Sequence, residues 1–204
     1  QTAGGTFRHV ALSAAIGLDD ALDVTVDILL EKLGDIHVLI NNAQASASGV
    51  TLADHTTEQF DLAVYSGLYA TFYYMKACYP YLAKSKGSVI NFASGAGLSG
   101  NFGQSAYAAA KEGIRGLSRV AATEWGKDGI NVNVVCPLAW TAQLEGWAAA
   151  NPEAFKANVH MPPMGHFGDA EKEIGRACVA LASPDLKYMS GETLTLEGGM
   201  GLRP

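Results

Sequence analysis

The chain has 204 residues, 49% of them hydrophobic and only 17% charged, with 14 Lys and Arg against 20 Asp and Glu for a net charge of −6. That balance suits one globular domain and argues against a disordered chain, a nucleic-acid surface or an anionic-membrane anchor. No apolar run is long enough to span a bilayer, no signal pattern opens the chain, and Cys78, Cys136 and Cys178 lie far apart in apolar runs, which reads as reduced thiols of a cytoplasmic protein with neither disulfide framework nor metal site.

In chain order, short β-branched runs alternate with long helical patterns. Leu22, Val26, Leu29 and Leu33 recur at helical spacing over residues 19–33, and Gly34 ends that helix. Residues 36–40 form a nearly continuous apolar strand. Thr56 and Gln59 make a capping box ahead of Phe60, Val64, Leu68, Phe72 and Met75. Pro80 is expected to strain the end of this helix, which fades over residues 84–87. A strand at 88–92, a helix at about 105–125 and a strand at 130–135 follow. An irregular stretch then leads to a helix at 169–182 and a last strand at 193–196.

Strands apolar on both faces, separated by helices, predict a parallel sheet covered on both sides. Right-handed crossovers make it a doubly wound, Rossmann-like α/β fold with three α/β/α layers. Ligands of such sheets bind at the carboxyl ends of the strands, here residues 41–44, 93–103 and 136–141.

Within those segments, Tyr107 and Lys111 sit four apart on one helix face, about 6 Å along the axis, and Ser94 ends the preceding strand. Alone, the pair is an ordinary helix-surface contact. Its placement beside a strand end gives it chemistry. A phenol titrates near pH 10, and an ammonium held nearby is expected to lower that value. Tyr107 then exchanges a proton with a carbonyl or alcohol oxygen, while Ser94 hydrogen-bonds the same oxygen.

Other features have plainer readings. Residues 95–100 match G-x-G-x-x-G, but the long helix starts too late and no acid stands at a following strand end, so a flexible loop bordering the site fits better than a phosphate cradle. Asn41-Asn42-Ala43-Gln44 either forms a turn or lines a site. Cys136-Pro137-Leu138 ends another strand, where the Pro can serve simply as a terminator. Five scattered His residues lack ligand spacing. Residues 140–167, with Trp140, Trp147 and Phe155, read as a mobile lid over a substrate or as a surface flap.

Asn41-Asn42-Ala43, Ser94 with Tyr107-Ala108-Ala109-Ala110-Lys111, Asn131 to Pro137 and the terminal Leu196-Glu197-Gly198-Gly199 together resemble the short-chain dehydrogenase/reductase family, and the likeness covers essentially the whole chain. The resemblance implies hydride transfer between NAD or NADP and a secondary alcohol or ketone, and a homotetramer or dimer built through the two long helices. Ser94, Tyr107 and Lys111 would be catalytic. Asn41, Asn42, Ala43, Gln44, Tyr107, Lys111, Pro137, Leu138 and Thr141 would line the cofactor cleft, and Ser94, Trp140 and Trp147 would meet a small neutral or apolar substrate. A halide- or epoxide-processing relative would be expected to carry Arg where Lys111 stands.

The departures fall on cofactor contacts and proton relay. The family opens with a strand, a T-G-x-x-x-G-I-G turn and a helix that carry the pyrophosphate. These 204 residues begin just before the family's third strand, so the chain is expected to be a single Rossmann-like domain (1–204) lacking its N-terminal βαβ portion. Gln44 replaces a Gly, which is expected to project a side chain where backbone approaches the cofactor. Gly67 stands where the family has a helix Asn, and a Gly there needs a reason. Ala15 replaces a strand-end Asp. Leu138 replaces a Gly, and Ala142 a Thr, although Thr141 is adjacent. These departures support a rival reading, a non-catalytic binding or scaffold protein derived from the family. The intact trio argues against it.

Overall fold

The computed structural model describes residues 26–28, 30–32 and 34–201. Residues 26–28 and 30–32 are helical, in keeping with the expected helix at 19–33. The rest of that helix, and Ala15, lie outside the described residues.

Four strands form a parallel sheet. The first, β1 (Val38–Asn41), is followed by α1 (Thr57–Ala63), whose N-terminus carries the expected capping box between Thr56 and Gln59. A π-helical turn, Val64–Tyr69, then leads without a break into α2 (Ala70–Ser85). Pro80 does not stop α2. Its ring lies on the exposed face, while Met75, Cys78 and Leu82 on the other face are almost fully buried. Burial of such side chains contributes about 1.5–3 kcal/mol each, enough to outweigh one missing backbone bond. The helix ends at Lys86, in left-handed conformation at φ 52°.

Next come β2 (Ser88–Phe92), the one-turn α3 (Gly95–Ser99), the 21-residue α4 (Ser105–Trp125) and β3 (Asn131–Pro137). The presumed irregular stretch beyond β3 is largely ordered: β4 (Ala139–Trp140), α5 (Ala142–Ala150), α6 (Pro152–Asn158) and β5 (Gly168–Asp169), with β4 and β5 paired in parallel. A second π turn, Ala170–Gly175, precedes α7 (Arg176–Leu181), and β6 (Thr193–Leu196) closes the sheet.

The sheet order is β1-β2-β3-β6, with Asn41 opposite Asn91 and Phe92 opposite Val135. Alternate strand residues face opposite layers. Val89 and Val132 pack with Met75, Cys78, Leu82 and Ala121 from α2 and α4, whereas Ile90 and Val135 pack with Cys178 and Leu181 from α7. The three-layer, doubly wound arrangement is therefore present. Asn131 and Asn133 are buried in β3 and donate to the Met189 carbonyl at 3.1 and 2.8 Å, which fixes the chain leading into β6. No helix among the described residues is long and apolar enough to cross a membrane.

Candidate active site

All four strands point their carboxyl ends to one edge, and the predicted site residues gather along it. At the end of β1, the Asn41 Nδ2 donates to Asn91 Oδ1 at 2.8 Å. Asn91 is fully buried and donates in turn to Ser118 Oγ at 2.9 Å and Met75 Sδ at 3.2 Å. Asn91 and Ser118 were not singled out from sequence, although a lone Asn inside an apolar strand was a visible signal that a partner must exist. Asn42 and Ala43 are exposed on the edge.

Gln44 does not project outward. Its Nε2 donates to the Ala63 carbonyl at 3.1 Å and its carboxamide packs against Gly67. The helical glycine thus has its reason, since residue 67 leaves the room that Gln44 fills.

Ser94 follows β2 in extended conformation, and its Oγ accepts from the Ala96 N–H at 3.2 Å, capping α3. The G-x-G-x-x-G segment is this short helix and not a flexible loop. A Cβ on Gly95 would collide with a carboxylate oxygen of Glu197, and one on Gly97 would lie 2.6 Å from Glu112 Oε1. These glycines admit two carboxyl groups, which makes the segment a poor anion site. Glu197 and Glu112 were also missed, and the spacing of the glycines carried no hint of them.

Tyr107 and Lys111 share one face of α4. The Lys111 ammonium is buried, donates to the Phe92 carbonyl at 2.6 Å and lies 5.5 Å from the Tyr107 ring centroid. Desolvation pulls its pKa down from 10.5 to about 8, against a smaller upward pull from Cys136. The Tyr107 phenol is raised above its ordinary value. Burial is the main cause, a hydrogen bond with Ser94 lowers it in part, and Cys136 raises it. The expected depression by Lys111 is therefore not what governs the phenol, because desolvation outweighs a cation 5.5 Å from the ring centroid.

At the end of β3, Pro137 pairs with Leu196, and the Leu138 N–H donates to the Leu196 carbonyl at 2.9 Å. Thr141 Oγ1 accepts from the Leu144 N–H at 3.2 Å and caps α5. Trp140 meets Phe155 edge-on at 6.0 Å and Phe167 at 5.6 Å, while Trp147 meets the same Phe155 at 6.2 Å. Both tryptophans thus belong to one aromatic cluster. The segment below it is tied down: the Met164 N–H donates to the Gly198 carbonyl at 3.0 Å, and His166 Nε2 lies 3.0 Å from Glu173.

Comparison with known proteins gives the family. A family model described as enoyl-(acyl carrier protein) reductase matches residues 2–201. The chain is 68% identical over 186 residues to a 12alpha-hydroxysteroid dehydrogenase of Clostridium sp., covering 91% of this chain and 72% of that protein. It is 31% identical over 192 residues to the meso-2,3-butanediol dehydrogenase of Serratia marcescens, covering 93% and 74%. Among solved structures it is similar to ElxO with NADP bound (TM-score 0.81, 26% identity, 89% of this chain and 73% of that one). It is also similar to the Cj0485 dehydrogenase (TM-score 0.84, 28% identity, 92% and 73%). With a matching model over nearly its whole length and the Ser94, Tyr107 and Lys111 cluster on the strand edge, the chain belongs to the short-chain dehydrogenase/reductase family of oxidoreductases, which act on alcohols and ketones.

Proposed function

We propose that this chain interconverts a secondary alcohol and its ketone on a bulky, neutral, apolar scaffold of the hydroxysteroid kind, using NAD or NADP. The observation that carries the reading is the Lys111 ammonium. It is 4% exposed, has three protons, and donates to Phe92 beside the hydrogen-bonded Tyr107 and Ser94 hydroxyls. A buried ammonium needs further acceptors, and sugar hydroxyls fit that need, so the residues suit a nicotinamide nucleotide. Asn41, Asn42, Ala43, Gln44, Pro137, Leu138 and Thr141 would line its cleft with Tyr107 and Lys111. When bound, the nicotinamide supplies or accepts the hydride.

The chain's own residues handle the oxygen and its proton. Because burial raises the phenol, Tyr107 holds its proton at neutral pH and serves as the acid for carbonyl reduction, and as the base in the reverse direction. Ser94 steadies the same oxygen with its hydroxyl. Lys111 grips the cofactor sugar and keeps positive charge beside the phenol. The substrate would lie against Ser94 and the aromatic cluster of Trp140 and Trp147. The 68% identity to a hydroxysteroid dehydrogenase supports this choice of scaffold. We further propose that the protein works in the cytoplasm as a homodimer or tetramer. The exposed apolar faces of the two long helices, with Phe72 on α2 and Val120 on α4, support that pairing.

The test is initial-rate assay of the full-length protein with NAD and NADP against a panel of hydroxysteroids and simple secondary alcohols. Tyr107→Phe is expected to lower turnover by at least about 100-fold with the unfolding midpoint unchanged. Retained turnover in that variant overturns the mechanism, and failure to bind NADH or NADPH in a fluorescence titration favours the non-catalytic reading.

A further inference from the structure

The chain that leaves β6 touches both walls of the cleft at the strand edge. On one side is the serine loop. Glu197, the first residue past β6, is 8% exposed, and its carboxylate lies against Gly95, the residue after Ser94. A Cβ on Gly95 would strike Glu197 Oε1 and would lie 3.1 Å from Cδ and 3.4 Å from Oε2. The whole carboxylate makes the contact, and no side chain fits at residue 95 while Glu197 keeps its place. On the other side is the segment below the aromatic cluster. The Met164 N–H donates to the Gly198 carbonyl at 3.0 Å, and a Cβ on Gly198 would lie 3.0 Å from Pro162 Cβ. Glu197 is held within this turn, because the Leu138 N–H donates to the Leu196 carbonyl at 2.9 Å and the Met200 N–H to the Glu197 carbonyl at 3.0 Å.

We propose that Glu197 is a positioning residue for Ser94: its buried carboxylate braces the Gly95 backbone and so fixes the direction in which the Ser94 hydroxyl meets the substrate oxygen. This rests on the dehydrogenase reading above. The path from Gly95 to the hydroxyl is short. Ser94 Oγ accepts from the Ala96 N–H at 3.2 Å, which occupies one lone pair and leaves the hydroxyl proton to be donated. If Gly95 moves, Ala96 moves with it, and Ser94 loses the bond that orients it. Ser94 also hydrogen-bonds Tyr107, so a turned hydroxyl disturbs both groups that share the substrate oxygen. The one-turn α3 cannot hold Ser94 by itself, since it buries none of its residues fully and a single helical turn is not stable alone. A precise site needs a supporting group that is itself locked by packing and hydrogen bonds, and Glu197 meets that requirement from the far side of the sheet edge.

The test is steady-state kinetics of the full-length protein with the best substrate of the hydroxysteroid panel. Glu197→Ala is expected to lower kcat about ten- to hundredfold, with KM for the cofactor within about twofold. Glu197→Gln keeps the planar group and its volume, and its kcat should stay within about threefold of the parent. In a Ser94→Ala background, Glu197→Ala should change kcat by less than about twofold, because the hydroxyl it positions is gone. A merely structural role would cost the same in both backgrounds. Unchanged kcat in Glu197→Ala overturns the proposal, as does a Glu197→Gln variant as slow as Glu197→Ala, or losses that multiply in the double variant. Should Glu197→Ala fail to fold, Gly95→Ala, whose methyl strikes the same carboxylate, takes its place in the cycle with the same expected values. An unaltered protein that turns over no secondary alcohol with either cofactor overturns the dehydrogenase reading, and the role of Glu197 in turnover falls with it.

Discussion

Lys111→Met should trade turnover for stability, and the trade should depend on pH. The ammonium sits at 4% exposure and its pKa falls from 10.5 to about 8, mainly through desolvation. At about 1.4 kcal/mol per pH unit, holding that charge in the fold costs about 3 kcal/mol. Methionine removes the cost but leaves the Phe92 carbonyl without its 2.6 Å donor, a penalty of about 1–3 kcal/mol. The net at pH 7 is a variant as stable as the parent or more stable by up to about 2 kcal/mol, equivalent to at most about 4–8 °C in Tm for a protein of this size. The pH dependence separates the two contributions. Below about pH 8 the folded and unfolded parent both keep the proton, so the cost is present in full and does not vary. Between about 8 and 10.5 the folded state releases the proton while the unfolded chain retains it. The unfolded state then binds more protons, and the parent gains stability as pH rises. By pH 9.5 it should recover about 2 kcal/mol relative to Lys111→Met, which has nothing to titrate there. Urea unfolding of both proteins at pH 7 and pH 9.5, followed by tryptophan fluorescence, measures the gap. A difference that is the same at both pH values refutes the buried-charge argument, whatever its sign.

Two further outcomes follow from the same geometry. Ser94→Ala should lose twice over: kcat falls by about 100- to 1,000-fold through the missing hydroxyl, and stability drops by about 1 kcal/mol because Ser94 also caps α3. Steady-state kinetics and urea unfolding of the same preparation read both losses, and a variant that loses stability alone would remove Ser94 from the chemistry. Val120→Glu places a charge on the exposed apolar face of α4, where Val120 is 54% exposed. It should reduce the solution mass from the assembly to the single chain in sedimentation velocity at micromolar concentration. A parent that is already monomeric there would refute pairing through these helices.

The sheet and its large helices were legible because their signals are local and repeated. Buried runs such as Val89-Ile90 and Val132 to Cys136 bury both faces of a strand, and the capping box at Thr56 and Gln59 marks a helix start without help from tertiary structure. The strand-edge rule then pointed to Ser94, Tyr107 and Lys111, which lie together at the end of β2. The π turn over Val64–Tyr69 was not legible, since one extra residue leaves the apolar spacing almost unchanged. Nor were α5 and α6, which are short and bury little. The phenol's shift was misjudged because charge pairing could be read from spacing, whereas desolvation could be known only from packing.

The glycines show most clearly why parts of a site escape sequence reasoning. Gly67, Gly95 and Gly97 each have a neighbour that would be struck by a Cβ: Gln44, Glu197 and Glu112 respectively. In every case the partner is a polar side chain brought in from another part of the chain. Sequence can announce that a glycine inside a helix costs about 1 kcal/mol and needs compensation, but not which group the empty space receives. At Gly95 and Gly97 the spacing imitates a phosphate loop although the groups admitted are carboxyls, which repel phosphate. At Gly67 the guest is an amide, with one end held at 3.1 Å by Ala63 and the other buried without a partner among the described residues. Two departures that each count against a cofactor site when read singly are compensatory in packing when read together, because the side chain gained at residue 44 occupies the volume vacated at residue 67.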